Sequence, residues 1–520
     1  MSPRIVGRTP VSSALDAHRR ARELDALAHD PVVDVLVIGG GITGAGIALD
    51  AASRGLKTLL VERRDLAHGT SRWSSKLVHG GLRYLASGQF AIAHESAFER
   101  HLLMTRLAPH LTRPLAQVLP LYAPGHVARG AYVGLGYGLG DGLRRVVGTP
   151  NAVLGSPGVV GRDDILRLMP ALKPDGLRGG LRGWDGQLFD DARLVVAVAR
   201  TAAGYDASVL TRVEAVSATG EGAVLRDLVT GAEITVAARA VIAATGVWAG
   251  ELDSAVRLRP SRGTHLVVDG ARLADADVSL TVPVPGSSSR FVFTVPAPHG
   301  RAYIGLTDVP ADGLPVDEPQ ATEAEIAMLL DTVNVALRHP LGRDDVLATF
   351  SGLRPLLASA AEGETSDLSR RHATVVSADG IISVVGGKLT TYRRMAEDGV
   401  DRAVDLRFAD GAVPASRTRT LPLVGAWPRD RIAEIVAPPR WVRRYGAEAP
   451  FVASLADGAP AARGVTAREL EWGVRVEGAL TIQDLLERRT RLGLVTADAE
   501  ASTDAAASAF ARAAVDPIDI

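Results

Sequence analysis

The clearest pattern of hydrophobic and polar positions lies in residues 33–62. An aliphatic run over residues 35–38 ends at three consecutive glycines, and an amphipathic stretch follows. A second apolar run, residues 58–61, ends at Glu62. Short apolar runs bounded by turn residues predict buried strands, and the amphipathic stretch between them predicts a helix. The pattern therefore predicts a strand, a glycine turn, a helix and a second parallel strand within about 30 residues.

The glycines of this turn have a spacing that suits phosphate binding. Gly39, Gly41 and Gly44 follow the G-x-G-x-x-G pattern, with Gly40 inside the turn. The first glycine allows the tight turn, the second lets backbone approach a pyrophosphate, and the third lets the helix pack close to the strand. Glu62 lies near the spacing of about 20 residues expected for a carboxylate that binds ribose hydroxyls. The sequence therefore predicts a dinucleotide site, and a glycine-rich turn without a ligand is the alternative.

Later segments continue the alternation of helix and strand patterns. A helix is predicted from Asp190 to about residue 203, after which residues 209–216 and 223–236 have strand patterns. A further buried strand in residues 238–250 runs into Thr245 and Gly246, an arrangement that dinucleotide folds use to close over a ligand.

The pattern changes in the second half of the chain. Short β-rich runs without intervening helices fill residues 258–308, which indicates an antiparallel sheet in a separate lobe. A helical period follows in residues 322–337, and residues 381–385 form a strand pattern that enters Gly386 and Gly387. Beyond about residue 405 the patterns are helical, and Thr466 and Glu469 have the spacing of a capping box. The last hundred residues hold no ligand-like constellation, which indicates a helical appendage.

Composition narrows the class of protein. A length of 520 residues suggests two to four domains, and 47% hydrophobic residues are enough for a large core. The net charge of −1 gives no reason to expect a nucleic-acid partner. The chain has no cysteine, so disulfides and thiolate metal sites are excluded, and no metal site is predicted. No signal peptide or run of 18 apolar residues is found, which predicts a soluble or peripheral protein.

One glycine-rich segment, residues 125–148, is both apolar and basic. Its edges carry Arg129, Arg144 and Arg145. A segment of this kind can lie on a membrane surface, or it can be a packed helix with a solvated edge, which is the commoner structure.

The motifs together resemble the FAD-dependent glycerol-3-phosphate dehydrogenases, which belong to the glutathione-reductase-like flavoproteins related to amino-acid oxidases. The glycine turn alone would indicate only a dinucleotide binder, but SSKLVHGGLRYL and GGKLTTYR are specific to this family. The resemblance covers nearly the whole chain and rests on VIGGGITGAGIALDAASRGL, TSRWSSKLVHGGLRYL, DDARLV, AATGVWA, RPSRGTHLVV, GLTDV, SGLRPL and VVGGKLTTYR. About thirty residues before the first strand are a departure from the family pattern.

The resemblance implies a fold and a domain organisation. The expected fold is α/β, with a glutathione-reductase-like FAD-binding fold, an antiparallel β-rich substrate (cap) domain and a C-terminal helical domain. The FAD-binding domain is expected in residues 30–110, 180–257 and 350–405, the cap domain in residues 111–179 and 258–349, and the helical domain in residues 406–520.

The resemblance also implies the site residues. The substrate is expected to be a small dianionic phosphate. The residues implied to bind it are Arg83 and Arg354, with Tyr84, His265 and Lys388 nearby. Arginine suits phosphate because it donates paired charge-assisted hydrogen bonds to it. Taken alone, each arginine has a salt-bridged or solvated role as its alternative, and His265 a satisfied place in a core. The FAD contacts implied are Gly39, Gly40, Gly41, Gly44, Glu62, Arg63, Thr70, Ser71, Ser74, Ser75, Lys76, Gly246, Gly387, Lys388, Leu389 and Thr390.

The implied reaction removes the C2 hydroxyl proton of glycerol 3-phosphate while the C2 hydride passes to flavin N5, giving dihydroxyacetone phosphate. His265 or Lys388 is the base, assisted by Arg83 and Arg354, and the sequence leaves the choice open.

The expected partners are a quinone, a membrane surface on the cytoplasmic side and a second copy of the chain in a homodimer. An oxidase that uses O2 would share every residue named. A nicotinamide dehydrogenase would lack the GGKLTT segment, and a non-catalytic flavoprotein would not need Arg83, Arg354 and His265 together.

Overall fold

The structure is a computed structural model. It describes residues 10–81, 88–122, 127–253, 256–287, 290–311, 313, 316–358, 371–408 and 413–515. The chain divides into two compact units, and each is described by itself. The first unit comprises Met1–Arg72, Ala192–Leu258 and Arg370–Ile520, and the second comprises Trp73–Asp191 and Arg259–Ser369.

The strands of the described residues fall into two sheets, one in each unit. In chain order they are β1 (Val32–Ile38), β2 (Thr58–Glu62), β3 (Leu77–Val78), β4 (Thr112–Leu121), β5 (Gly158–Gly161), β6 (Gly179–Leu188), β7 (Ser208–Thr211), β8 (Val213–Thr219), β9 (Gly222–Asp227), β10 (Glu233–Ala243), β11 (Ser261–Asp269), β12 (Ser279–Pro283), β13 (Phe291–Ala297), β14 (Arg301–Gly305), β15 (Val309–Pro310), β16 (Val346–Arg354), β17 (His372–Val376) and β18 (Ile382–Gly386).

The α-helices of the described residues lie between and after these strands. They span Ala17–His29, Ile42–Ser53, Phe90–Leu102, Val127–Val146, Arg162–Leu168, Asp191–Ala203, Ala249–Leu252, Glu323–Asn334, Tyr392–Arg407, Pro439–Tyr445, Ala449–Ser454, Ala467–Arg475, Thr496–Glu500 and Thr503–Ala513.

A largely parallel sheet forms the centre of the first unit. Its order is β17-β18-β10-β1-β2-β7, and the strands from β18 to β7 pair in parallel. The four residues 35–38 at the end of β1 are all buried, as expected for a central strand covered on both faces. The carboxyl ends of β1, β2, β10 and β18 therefore lie at one edge of the sheet, which is where α/β folds bind their ligands.

The C-terminal helices belong to the first unit and are tied to it by buried ion pairs. Arg193 and Arg200, on the helix Asp191–Ala203, bond to Glu477 and Glu448 respectively. The predicted capping box is confirmed, since Thr466 and Glu469 bond reciprocally at the start of the helix Ala467–Arg475. The last hundred residues are therefore anchored to the first unit by charge as well as by apolar packing.

A mixed, mostly antiparallel sheet forms the centre of the second unit. Its order is β15-β11-β14-β13-β12-β4-β6-β3, with β16 paired to β11 and β5 paired to β6. The helix Glu323–Asn334 covers it, and both contribute to one buried apolar cluster that includes Leu266, Ile304 and Leu329. The predicted strands in residues 258–308 and the predicted helix in residues 322–337 are confirmed.

One carboxylate, that of Glu325, joins the start of this helix to the sheet. Glu325 forms a capping box with Thr322, and its Oε1 accepts hydrogen bonds from the hydroxyls of Thr264 (2.9 Å) and Thr307 (2.8 Å). Arg262 pairs with the same carboxylate at 2.9 Å. Burial alone would raise the pKa of Glu325, but these donors hold it below its usual value.

Some predicted boundaries were wrong. The strand predicted over residues 223–236 is two strands, β9 and the start of β10, joined by a turn. β10 then continues to Ala243, across the predicted boundary between residues 236 and 238. In this stretch the strand alternates exposed and buried positions, with Arg239 exposed, so its sequence has no continuous apolar run. The predicted division into FAD-binding, cap and helical domains stays a prediction.

Candidate active site

The glycine turn follows β1 at the ligand edge of the parallel sheet. Gly39 has φ +114°, and a Cβ at Gly44 would lie 1.8 Å from the Gly39 carbonyl oxygen. Gly41 is the N-cap of the helix Ile42–Ser53 and makes no side-chain capping bond. The first amides of a helix have no acceptor within it. The N–H of Ile42 donates to the Ser71 hydroxyl, and the helix N-terminus as a whole suits an anion such as a pyrophosphate.

Glu62 reaches the same turn from the end of β2. Its carboxylate accepts hydrogen bonds from the backbone N–H groups of Gly40 (2.6 Å) and Arg64 (2.7 Å). Burial raises the pKa of Glu62, because a desolvated carboxylate loses the stabilisation of water. Additional donors, such as the hydroxyls of a ribose, would stabilise its charged form. Glu62 therefore lies against the glycine turn, and its ribose contact stays a prediction.

Two further predicted segments lie in the first unit at the carboxyl ends of parallel strands. After β10, the Thr245 hydroxyl is buried and has no hydrogen-bond partner among the described residues. A buried polar group is normally hydrogen-bonded, so this hydroxyl suits a position that contacts a ligand. Gly246 follows with φ +59°.

After β18, Gly386 and Gly387 both have positive φ, and a short 3-10 turn, Leu389–Thr391, precedes the helix Tyr392–Arg407. Lys388 is the N-cap residue of that turn.

The residues 70–76 predicted to contact FAD fall in both units. Thr70 and Ser71 belong to the first unit, where the Ser71 hydroxyl accepts a hydrogen bond of 2.9 Å from the N–H of Ile42. Arg63 stacks on the Trp248 ring, 5.1 Å from its centroid. Ser74, Ser75 and Lys76 belong to the second unit.

His265 is buried in the second unit, on β11. Its imidazole stacks on Phe350, with ring centroids 4.7 Å apart and planes at 11°. Its Nε2 lies 2.9 Å from the Ser75 hydroxyl, and its Nδ1 is buried with no hydrogen-bond partner among the described residues. Gly305, on the neighbouring strand β14, lies opposite His265. A Cβ at this position would lie 2.1 Å from His265 Cδ2, so only glycine fits.

Burial also controls the charge of His265. It lowers the pKa of the imidazole well below its usual value, and the positive charges of Lys76 and Arg354 lower the pKa further. The ring is therefore neutral near pH 7 and has a nitrogen lone pair available to accept a proton. A satisfied core histidine, the alternative considered from sequence, does not account for the orphaned Nδ1.

Lys76, predicted only as an FAD contact, lies near His265. Its ammonium lies 3.1 Å from an Asp191 carboxylate oxygen and 2.8 Å from the Ser74 carbonyl oxygen. It also lies 4.2 Å from the centroid of the Phe350 ring on which His265 stacks. Asp191 lies in the DDARLV motif, but neither it nor Phe350 was predicted as a site residue, because their contact with Lys76 joins segments far apart in the sequence.

Arg354 ends β16 and is held by groups of the chain itself. Its guanidinium donates to the Asp308 carboxylate and the Ser261 hydroxyl, both at 3.1 Å, and to the Thr307 carbonyl at 3.2 Å. The salt-bridged alternative is therefore present in the structure, and a role in phosphate binding stays a prediction. Arg83 and Tyr84 lie outside the described residues.

Comparison with known proteins identifies the family. Residues 34–393 match the family described as FAD dependent oxidoreductase, and residues 416–514 match the C-terminal domain of alpha-glycerophosphate oxidase. The chain is 52% identical over 504 residues to glycerol-3-phosphate dehydrogenase 1 of Mycobacterium tuberculosis, covering 94% of this chain and 97% of that protein. It is 34% identical over 536 residues to the mitochondrial glycerol-3-phosphate dehydrogenase of Macaca fascicularis, covering 92% and 70%.

The fold has a solved counterpart. The X-ray structure of glycerol-3-phosphate dehydrogenase from Bacillus halodurans complexed with FAD matches with a TM-score of 0.72 at 27% identity, covering 96% of this chain and 94% of that one. The predicted fold class is confirmed. The fold, the glycine turn and the family match define an FAD-dependent oxidoreductase.

More specifically, the chain belongs to the FAD-dependent glycerol-3-phosphate dehydrogenase family. Its cofactor is FAD, and the first unit fits that cofactor. The glycine turn at the helix N-terminus, Glu62 and the orphaned Thr245 hydroxyl suit the phosphates and polar groups of a dinucleotide.

Gly41→Val should abolish FAD binding, because a branched side chain would stand where backbone is expected to approach the pyrophosphate. Flavin content measured by absorbance, and titration of the apoprotein with FAD, check this. Gly138→Ala is a suitable control, since nothing lies within 4 Å of a Cβ at that helical position. Full flavin content with native affinity in Gly41→Val would show that the turn does not hold the cofactor.

Proposed function

We propose that this chain oxidises sn-glycerol 3-phosphate to dihydroxyacetone phosphate, with FAD as the hydride acceptor and a quinone as the final electron acceptor. The observation that carries this proposal is the 52% identity, over 94% of the chain, to a protein named glycerol-3-phosphate dehydrogenase. The decisive test is anaerobic reduction of the flavin by glycerol 3-phosphate, followed by reoxidation with a quinone or with oxygen.

The proposed base is His265, which removes the C2 hydroxyl proton. Its imidazole, which the lowered pKa keeps unprotonated, and its orphaned Nδ1 support this role. Bound FAD supplies the chemistry of accepting the C2 hydride. Loss of the proton and the hydride together converts the secondary alcohol to the ketone. Lys388 is the competing candidate, and it lies in the first unit at the start of the turn Leu389–Thr391.

Arg354, with Arg83, is proposed to bind the phosphate. A guanidinium has five N–H donors in a fixed fork, so Arg354 can serve both Asp308 and a substrate oxygen. The contacts to Asp308, Ser261 and Thr307 hold the side chain in one orientation, which lowers the entropy that a phosphate contact would cost.

A quinone acceptor implies contact with a membrane on its cytoplasmic face. No helix among the described residues is long and apolar enough to cross a membrane. The helix Val127–Val146 supports a peripheral contact, because Leu135, Leu139 and Val146 are exposed on it. Arg144 does not support it, since its side chain is buried and bonded to Asp141 and to the Thr149 carbonyl. The Arg129 side chain lies outside the described residues.

A second candidate function is that of an oxidase that passes electrons to O2. The match of residues 416–514 to the C-terminal domain of alpha-glycerophosphate oxidase favours it. Stoichiometric hydrogen peroxide during turnover in air would identify the oxidase, and turnover that requires added quinone would identify the dehydrogenase.

His265→Ala should slow flavin reduction by glycerol 3-phosphate about 100-fold or more, because the proton would lose its acceptor. In the native enzyme the base is lost as pH falls through the folded-state pKa of His265. The acid limb of the rate of flavin reduction should therefore lie below about pH 6.5, the ordinary value for histidine. Stopped-flow reduction across pH measures both effects, and Lys388→Ala is the paired variant. A normal rate in His265→Ala, with a large loss in Lys388→Ala, would transfer the role to Lys388.

Arg354→Ala should raise KM for glycerol 3-phosphate more than it lowers kcat, because a phosphate contact exists in ground and transition states alike. The lost contact is expected to be worth roughly 1.5–3 kcal/mol. Oxidation of glycerol, which has no phosphate, should be poor in the native enzyme and should change little further. Steady-state kinetics with both substrates measure this.

Asp308→Asn is the matched control for that variant, since it removes the ion pair of Arg354 while keeping the arginine. Near-native KM is expected there. If Asp308→Asn reproduced the defect of Arg354→Ala, or if Arg354→Ala damaged both substrates equally, Arg354 would be structural.

Replacing both Leu135 and Leu139 by aspartate should abolish binding to anionic lipid vesicles, because two exposed apolar side chains would be lost and negative charge added. Cosedimentation measures the binding, and turnover with a water-soluble dye should persist. Val159→Asp, at another exposed apolar position, is the control. Unchanged vesicle binding in the double variant would exclude this helix as the contact.

A further inference from the structure

The segment that follows Glu62, residues 65–72, folds back over the glycine turn. We call it the flavin loop. The N–H of Ala67 donates to the Gly40 carbonyl at 3.0 Å. The Ser71 hydroxyl accepts a hydrogen bond from the N–H of Ile42, at the start of the helix Ile42–Ser53. Thr70 and Ser71 are proposed FAD contacts. Whatever fixes the flavin loop therefore fixes one side of the cofactor site.

The start of the flavin loop is held by two arginines from the short π-helical segment Asp484–Arg489 of the C-terminal region. Arg489 donates two parallel hydrogen bonds to the Asp65 carboxylate, at 2.7 and 2.8 Å, and Arg488 donates a third at 2.6 Å. All three side chains are at most 2% exposed. Burial alone would raise the pKa of Asp65, but the two guanidinium groups hold it well below its usual range. This carboxylate is therefore charged and fixed in orientation.

The end of the flavin loop is held by the same C-terminal segment. The buried Arg72 guanidinium pairs with Glu487 and also donates to the His68 carbonyl at 2.8 Å. Its own backbone carbonyl accepts a hydrogen bond of 2.9 Å from Arg491. Both ends of the loop are thus hydrogen-bonded to residues 487–491, which lie more than 400 positions away along the chain.

These contacts form one connected network. Arg488 also bonds to Glu487 at 2.5 Å and to Asp484 at 2.6 Å, and Asp484 pairs with Arg212. Buried ion pairs often add little net stability compared with apolar packing of the same volume. Bidentate arginine contacts do fix geometry strongly. The network is better suited to holding a loop in place than to stabilising the fold.

We propose that residues 487–491 are positioning residues for the cofactor site, which set FAD affinity by holding the flavin loop against the glycine turn. None of them is among the proposed FAD contacts. The inference rests on the proposed contacts of Thr70 and Ser71 with FAD, and it does not depend on the identity of the substrate or the electron acceptor.

A second ion pair provides a matched control. Glu448 bonds through both oxygens, each at 2.7 Å, to Arg200, which is as deeply buried as Arg72. This pair also ties the C-terminal helices to the rest of the first unit. Arg200 bonds to Ser13 and Glu448 and not to the flavin loop. Glu487→Gln and Glu448→Gln are therefore the same chemical change at two buried arginines, only one of which belongs to the flavin loop.

The experiment compares these variants in the full-length chain. FAD dissociation constants are measured by flavin fluorescence on the apoprotein, and melting temperatures are measured with and without saturating FAD. Glu487→Gln should weaken FAD at least about fivefold, and the rise in Tm that FAD produces should shrink accordingly. Glu448→Gln should lower both melting temperatures alike and leave FAD affinity within about twofold of native, as expected for a loss of stability alone.

Native FAD affinity in Glu487→Gln, or an equal change in both variants, would overturn the proposal. If Glu487→Gln does not fold, Arg491→Lys is the substitute, because lysine keeps the charge but lacks the fork that reaches both Arg72 O and Glu487 O. It should weaken FAD in the same way, and native affinity in it would equally overturn the proposal. Gly41→Val separates the two hypotheses: retained FAD there would refute the placement of the cofactor site itself.

Discussion

The close approach of Gly44 to the carbonyl of Gly39 is the constraint on which the cofactor-binding part of the structure depends. With no side chain between them, the helix Ile42–Ser53 begins directly against the end of β1. Its N-terminus is thereby aimed at the edge where β1, β2, β10 and β18 end. Glu62, Thr245 and the Gly386–Gly387 pair reach the same edge because parallel strands align their carboxyl ends. One backbone contact therefore sets the direction from which a dinucleotide can bind.

In the second unit the corresponding constraint is desolvation. His265 stays neutral because Phe350 covers one face of its ring and only a glycine at position 305 lets the ring fit. Lys76 shares the Phe350 ring but remains paired with Asp191. Two basic groups in the same aromatic surroundings are thus separated in role. One is neutral and can accept a proton, whereas the other is compensated by a carboxylate.

Features encoded by neighbouring residues were predictable from the sequence, whereas features that depend on distant residues were not. The glycine turn, Glu62 and the capping box at Thr466 were predictable because each is encoded within about 30 residues. The boundary between β9 and β10 was missed because a half-buried strand alternates residue types that also occur in turns. The C-terminal segment was read as a helical appendage without a ligand-like constellation. The partners of Arg488 and Arg489 lie 423 and 424 positions away, and no periodicity of the sequence reports such a pairing. The salt bridge of Arg354 with Asp308 was foreseen only as an alternative.

The carboxylate of Glu325 links choices at several distant positions. It caps the helix Glu323–Asn334 and also satisfies Thr264, Thr307 and Arg262 on the sheet side. Replacing it by an apolar residue would remove the acceptor shared by two buried hydroxyls, which would keep only Ser351 Oγ and the Thr264 N–H as partners. It would also remove the carboxylate paired with Arg262, so a single change is disfavoured. These four positions are expected to vary together or not at all during divergence. A chimaera that exchanges this helix between relatives should therefore exchange the matching strand residues with it.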